Sequence, residues 1–192
     1  MCGPEQALSI NVQKRIVLPE SQCYAQPMSN RADLFPLPAH HHGDCIRAAL
    51  DAAERKCREQ SARLTTVRRR VLELVWHSHE PVGAYALLDQ LKQDGHSAAP
   101  PTVYRALEFL MEHGLIHRLE RRNAFVGCAY PGDTHSAKFL ICTLCGRAVE
   151  LEEPAIDAAL LEGAAKRGFL ITRQTVEVEG HCPDCQSEGV QF

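Results

Sequence analysis

The sequence has 192 residues, enough for one full domain or two small ones, and 45% of them are hydrophobic. No apolar run approaches the roughly 20 residues that cross a bilayer. The first residues, MCGPEQALSINVQ, lack the basic and apolar segments of a signal peptide. These features exclude a membrane partner and predict a cytoplasmic protein, in which cysteines stay reduced and serve metals or chemistry.

The net charge of −3 is unevenly distributed along the chain. Residues 44–122 carry 13 Lys/Arg and 11 Asp/Glu, whereas residues 123–192 carry 5 and 10. A mildly basic half followed by an acidic half predicts two domains with different roles.

The first two thirds of the chain predict a flexible extension followed by a winged helix-turn-helix. Residues 1–43 contain several prolines and no sustained hydrophobic period, which is typical of a flexible N-terminal extension. Helical spacing then begins at Asp44, and the later alternating segments meet at a turn formed by Arg122 and Asn123. The elements predicted for residues 44–131 are a helix from Asp44, helices over 64–79, 82–95 and 99–114, and strands over 115–121 and 123–130.

The last third predicts a small α/β domain over residues 132–192. The segment YPGDTHS (130–136) supplies Pro, Gly and Asp, which favour a hinge between the two domains. The elements predicted beyond it are strands over 138–142 and 147–151, a helix from Pro154 to about Arg167, and a strand over 169–179. The fold class is therefore α/β, with a winged helix-turn-helix domain over residues 44–131 preceding the smaller unit.

Two Cys-x-x-Cys steps flank this α/β domain. Each step places two thiolates on a tight turn at one metal, and two steps complete a closed tetrahedral site typical of structural zinc. The alternatives are a redox dithiol or unrelated buried cysteines, but a redox pair needs only one such step, usually opening a helix. The predicted structural zinc ligands are Cys142, Cys145, Cys182 and Cys185.

Three segments resemble the ferric uptake regulator superfamily, specifically its zinc uptake regulator branch. They are PPTVYRALEFLMEHGLIHRLE, THSAKFLICTLCG and HCPDC, and the resemblance extends from about residue 48 to residue 187. It implies a homodimeric, metal-dependent repressor of zinc-uptake genes that binds palindromic operator DNA and has no small-molecule substrate. The 132–192 unit would then be the dimerisation domain.

The resemblance also assigns residues to two zinc sites, so that about two zinc ions are expected per chain. Spacing alone does not select the second set, whose members are individually ordinary strand and loop residues. The four cysteines match the structural site, and the regulatory ligands implied by the resemblance are His117, Cys128, His135 and Glu150.

The segment TVYRAL on the fourth helix is the expected DNA-reading surface. Arg105 is the candidate for a bidentate contact with guanine, and Tyr104 either contacts DNA or packs half-buried. Thr102 is a further candidate in the same segment.

Two sets of charged residues on the preceding helices have competing interpretations. A basic cluster on the second helix either contacts phosphates or forms a solvated face; its members are Arg68, Arg69 and Arg70. Asp89 and Lys92 on the third helix either pair with each other or pair across two dimers on one operator.

Departures from the ferric branch argue against iron, manganese or peroxide sensing. This chain has DTHS where that branch has a His-rich HHDH segment, and it has Pro81 where a histidine precedes the third helix. The segment LTTVR (64–68), which ends in Arg68, stands where the family commonly has LTPQR.

The runner-up functions are a sibling regulator sensing iron or manganese, a zinc-containing thiol oxidoreductase and a structural zinc protein that binds another protein. An enzyme is disfavoured because a closed four-sulfur site leaves no open coordination position. The winged helix with TVYRAL disfavours the structural zinc protein.

Overall fold

The computed structural model describes residues 35, 42–131 and 135–187. The predicted extension lies outside the described residues except for Phe35 and the start of the first helix. The helices and strands are α1 (His42–Glu59), α2 (Thr66–Val75), β1 (Val82–Gly83), α3 (Ala84–Gln93), α4 (Pro100–Glu112), β2 (Ile116–Leu119), β3 (Ala124–Gly127), β4 (Ala137–Cys142), β5 (Ala148–Glu150), α5 (Pro154–Ala165), β6 (Thr175–Gly180) and α6 (Pro183–Ser187).

The N-terminal helices pack around one apolar core. Leu72 on α2, Leu91 on α3 and Leu110 on α4 are fully buried in it. The Thr65 hydroxyl caps α2 by accepting a hydrogen bond from the Arg68 amide at 3.4 Å. Gly114 then ends the α4 segment at a φ of +57°, a left-handed conformation that favours glycine.

The wing is a three-stranded sheet in the order β1-β3-β2. Strands β2 and β3 form the predicted hairpin, and His117 lies opposite Val126. The short β1 was not predicted, because Val82 and Gly83 were assigned to the start of the third helix. Val82 instead pairs with Phe125, since β3 offers it a free edge, and α3 begins at Ala84.

The second sheet has the order β5-β4-β6, with β4 antiparallel to β5 and parallel to β6. Parallel strands need a crossover connection, which α5 provides. The predicted strand over 169–179 begins only at Thr175, because the ladder starts where Thr175 meets Ala137, the first residue of β4. The winged helix followed by an α/β domain is therefore confirmed, and every predicted strand except β4 is shorter than the sequence predicted.

The wing packs directly on the second sheet. Leu119 of β2 and Val126 of β3 share an apolar cluster with Phe139, Ile141 and other residues of the second sheet. In the described part of the chain, no helix is long and apolar enough to cross a membrane.

Candidate metal centres and DNA-binding face

The two Cys-x-x-Cys steps converge at one end of the second sheet. The first lies in the turn between β4 and β5, where Gly146 adopts a φ of +78° and donates to the Cys142 carbonyl at 3.1 Å. The second lies where β6 runs into α6. The four sulfur atoms lie within 4.8 Å of one another, and those of Cys145 and Cys182 are 3.8 Å apart.

This separation fits a tetrahedral zinc ion. Zinc–sulfur bonds of about 2.3 Å place the ligand sulfurs roughly 3.8 Å apart. Burial would raise the pKa of Cys142, but amides of the two cysteine turns, including those of Cys145 and Cys182, lower it to about 6. A hydrogen bond between Cys185 and Cys182 raises the pKa of the Cys185 thiol to about 12. Four crowded thiols cannot all ionise without a compensating cation, so this end of the sheet is suited to a metal.

Arg147 supports both cysteine turns at once, a role that sequence reasoning missed. Its Nε lies 3.2 Å from the Cys145 sulfur, and its Nη2 lies 3.3 Å from the Cys182 sulfur. The same guanidinium pairs with Asp184 at 2.6 Å. One positive charge thus offsets the thiolate charge and links the two halves of the site. The sequence feature that could have indicated this role is an arginine two residues after the second cysteine of a Cys-x-x-Cys step.

Phe35 is a second residue that sequence reasoning missed. It lies in the segment predicted to be a flexible extension, yet it is buried against Cys142 and Cys182. A lone aromatic residue in a proline-rich stretch gives no signal of such a contact.

The second candidate cluster lies where the wing meets the second sheet. His117 is on β2, Cys128 follows β3, His135 precedes β4 and Glu150 ends β5. The donor atoms of these four residues lie within 4.8 Å of one another. The fold therefore brings together the full set that the sequence resemblance implied. We call these four residues the junction cluster.

Distances within the junction cluster fit zinc ligation. Bonds of about 2.0–2.3 Å place tetrahedral ligand atoms roughly 3.3–3.8 Å apart. The Nε2 atoms of His117 and His135 are 3.3 Å apart, and the His135 Nε2 is 3.5 Å from the Cys128 sulfur. Glu150 Oε1 lies 3.2 Å from His117 Nε2 but only 2.7 Å from His135 Nε2, a direct hydrogen bond that would have to open by about 0.6 Å for both atoms to bind one zinc ion.

Charge is concentrated in the junction cluster. The Glu150 side chain is only 3% exposed, and burial would raise its pKa. Hydrogen bonds from His117 and His135 outweigh burial and hold the pKa of Glu150 at about 2. Burial lowers the pKa of His117, but hydrogen bonds with Cys128 and Glu150 raise it to about 9. The Ala129 amide also donates to Glu150 Oε2 at 2.9 Å, which fixes the carboxylate in place.

The candidate DNA-reading residues lie on α4. Val103, Ala106 and Leu107 face the core, which leaves Tyr104 and Arg105 on the outer side of the helix. Tyr104 is 42% exposed, so its contact with DNA and its half-buried packing both stay predictions, and Arg105 is exposed. Arg105 has no hydrogen bond or ion pair to any residue that the structure describes. Thr102 is half-buried in the first turn of the same helix.

The three arginines of α2 are engaged within the N-terminal domain. The Arg68 guanidinium stacks 3.6 Å over the Phe109 ring and also donates to the Arg63 carbonyl at 2.6 Å. Arg69 pairs with Glu54 and Glu73, and Arg70 pairs with Asp94 and Glu73. Their contact with phosphates stays a prediction, and any such contact would compete with these partners.

Asp89 and Lys92 are both exposed on α3. No ion pair joins them in the described part of the chain, so the simple pairing within one helix is not formed. Their pairing across two dimers stays a prediction.

Comparison with known proteins places the chain in a family. A family model described as the ferric uptake regulator family matches residues 59–179. The chain belongs to the ferric uptake regulator family. A zinc uptake regulation protein of Escherichia coli strain K12 is 37% identical over 137 residues, which cover 71% of this chain and 80% of that protein.

Two solved structures of family members resemble this chain. One, described as a zinc uptake regulator complexed with zinc and DNA, is 35% identical and superposes with a TM-score of 0.71, over 74% of this chain and 96% of that one. The other, holo XcZur, is 45% identical with a TM-score of 0.67, over 75% of this chain and 98% of that one. These likenesses support the predicted fold and family.

Proposed function

We propose that this protein is a zinc-responsive transcriptional repressor of the cytoplasm. It binds palindromic operator DNA as a zinc-loaded homodimer and represses zinc-uptake genes. The observation that carries the proposal is the junction cluster, whose donors come from the wing and from the second domain and whose spacing suits zinc. The similarity to a zinc uptake regulation protein and to a zinc- and DNA-bound regulator supports it.

The junction cluster is the proposed sensor. When bound there, zinc would bond to donors of both domains at once. His117 and Cys128 hold the wing side of this connection, and His135 and Glu150 hold the other side. The cluster thereby restricts the orientations that the winged helix samples, which favours the DNA-binding state.

The four-cysteine site is proposed to be structural. Cys142 and Cys145 lie at one end of β4, and Cys182 and Cys185 follow the end of its neighbour β6. Because these strands are parallel, their ends meet at the same edge of the sheet, and a shared metal would fasten that edge. A closed set of four thiolates leaves no position for substrate, which supports a regulator rather than an enzyme.

The α4 surface is the proposed DNA reader. An arginine with no partner in its own domain is available to bond guanine O6 and N7, and Arg105 meets that condition. Tyr104 adds contact with a thymine methyl or a phosphate, and Thr102 adds a hydroxyl in the same turn. Two copies related by two-fold symmetry would read two half-sites of a palindrome.

The second domain is the proposed dimerisation surface. Its described part exposes six large apolar side chains to solvent, and exposed apolar residues mark an interaction surface when they cluster. They are Leu144, Leu160, Leu161, Phe169, Leu170 and Val178.

Iron or manganese is the alternative effector. The buried sulfur of Cys128 is a soft donor, which suits zinc better than manganese and favours the zinc assignment. The test is a mobility-shift assay on DNA upstream of zinc-uptake genes and on a scrambled duplex, with zinc, iron(II), manganese(II) or chelator. We expect a specific shift with zinc alone. A specific shift at lower concentrations of iron or manganese would refute the proposal.

A further inference from the structure

The guanidinium of Arg122 connects the wing to the first cysteine turn. Arg122 lies in the turn between β2 and β3, in the N-terminal domain. Its Nη1 donates to the Gly146 carbonyl at 3.2 Å, and its Nη2 donates to the Cys142 carbonyl at 3.3 Å. One wing residue thus holds two carbonyls of the loop that carries Cys142 and Cys145.

These two carbonyls converge only because the cysteine turn is closed. The Gly146 amide donates back to the Cys142 carbonyl at 3.1 Å, and the Cys142 amide donates to the Arg147 carbonyl at 2.8 Å. The planar fork of an arginine presents parallel donors, which match a pair of acceptors at this spacing. The four-cysteine site and the Arg122 contact therefore depend on the same local backbone.

Other contacts lie along the same seam between the domains. The Ala148 amide of β5 donates to the His79 carbonyl at 3.0 Å, and the Glu120 amide donates to a Glu177 oxygen at 2.7 Å. No residue of this seam belongs to the junction cluster. The winged helix is thus held to the second domain at two separate places.

We propose that Arg122 is a positioning residue that orients the winged-helix domain by donating hydrogen bonds to two carbonyls of the first cysteine turn. The four-cysteine site then has a second role beyond fastening its own sheet, because it presents the surface on which the DNA-binding domain docks. This inference rests on the proposed function, in which a defined domain orientation favours both zinc binding at the junction and operator binding. By linkage, losing the Arg122 contact weakens zinc binding at the junction cluster even without DNA.

The test compares Arg122→Ala with Arg121→Ala. Arg121 is the adjacent arginine, but its side chain is 70% exposed and its Nη2 lies 3.7 Å from Glu179, an arrangement that contributes little. Zinc affinity at the junction is measured without DNA by competition with a zinc-binding dye, and operator affinity is measured at saturating zinc. We expect Arg122→Ala to weaken both affinities by roughly 5-fold or more. Arg121→Ala should leave the DNA-free zinc affinity unchanged.

A loss of operator affinity without any loss of DNA-free zinc affinity would make Arg122 a DNA contact and overturn the proposal. Unchanged values for both would also overturn it. If Arg122→Ala fails to fold, Arg122→Lys replaces it, since lysine keeps the charge but not the planar fork. A folded Arg122→Lys protein with the junction affinity of the wild type would overturn the proposal. Wild-type protein that binds junction zinc but shows no zinc-dependent operator binding would instead refute the proposed function.

Discussion

The Nε2 atoms of His117 and His135 lie 3.3 Å apart although one residue belongs to the wing and the other leads into the second sheet. Two imidazole nitrogens at this distance, beside a buried thiol and a buried carboxylate, form a donor set for one cation. The ligands of the junction cluster come from two domains, whereas the ligands of the four-cysteine site all come from one. The two candidate sites should therefore differ in how readily they release metal.

We expect about two zinc ions per chain, of unequal lability. Mild chelation should remove the junction zinc first and abolish DNA binding while the protein stays a dimer. The measurement is metal content and sizing after stepwise dialysis against chelators of increasing affinity. A single bound zinc, or unfolding at the first gentle step, would contradict the two-site account.

Cys142→Ser should impair folding and dimerisation, because three ligands cannot fasten the adjacent ends of β4 and β6 together. Cys142 is buried and also accepts a hydrogen bond from the Cys182 amide at 3.4 Å. Circular dichroism, sizing and zinc content report the effect. Cys45→Ser is the matched control, since Cys45 lies on α1 outside both clusters, and it should keep two zinc ions. A folded, dimeric Cys142→Ser protein would refute the structural role.

The sequence predicted the parts of this fold that depend on local pattern. Each of these patterns involves only a few neighbouring residues, and the structure contains each of them: the periodic helices, the helix end at Gly114 and the two Cys-x-x-Cys turns. The short β1 and the late start of β6 were missed because both depend on which distant strand is available for pairing.

The junction cluster could not have been chosen from spacing alone. Its donors come from four different elements, and only the packing of Leu119 and Val126 against the second sheet brings them together. The same holds for Arg122 and Phe35, whose partners lie far away in sequence. The resemblance to a family supplied the four residues of the junction cluster, but it did not supply Arg122 or Phe35.

Gly127→Ala should destabilise the N-terminal domain. A Cβ at Gly127 would lie 2.2 Å from the Trp76 ring, so the indole must shift away from β3. Such overpacking costs about 1–3 kcal/mol. Because the chain has one tryptophan, urea unfolding followed by its fluorescence measures this directly.

The control for Gly127→Ala is Gly43→Ala, where a Cβ would meet open space at the start of α1. It should change the free energy of unfolding by no more than about 0.5 kcal/mol. Equal effects of the two substitutions would show that Trp76 does not pack on β3 as described.

Arg105→Ala should cost roughly 1–3 kcal/mol per half-site on the operator and much less on scrambled DNA. The reason is that a bidentate contact with guanine contributes only where the correct base is present. Zinc content should stay unchanged, since Arg105 is remote from both clusters. The measurement is a salt titration of binding to both duplexes at saturating zinc.

Arg167→Ala serves as the control for Arg105→Ala, because it removes the same charge from an exposed position of the second domain. It should leave the ratio of operator to scrambled affinity unchanged. Parallel losses on both duplexes for Arg105→Ala would show that this arginine only contacts the backbone of DNA.

We propose that zinc at the junction cluster couples the two domains, and a zinc titration of operator binding with wild-type and Cys128→Ser proteins measures this coupling. Cys128 is buried and supplies the only sulfur of the junction cluster. Such coupling implies that Cys128→Ser stays a folded dimer, retains about one zinc ion per chain in the four-cysteine site, and shows no zinc-dependent gain in operator affinity. A Cys128→Ser protein that binds the operator at the same zinc concentration as the wild type would contradict it.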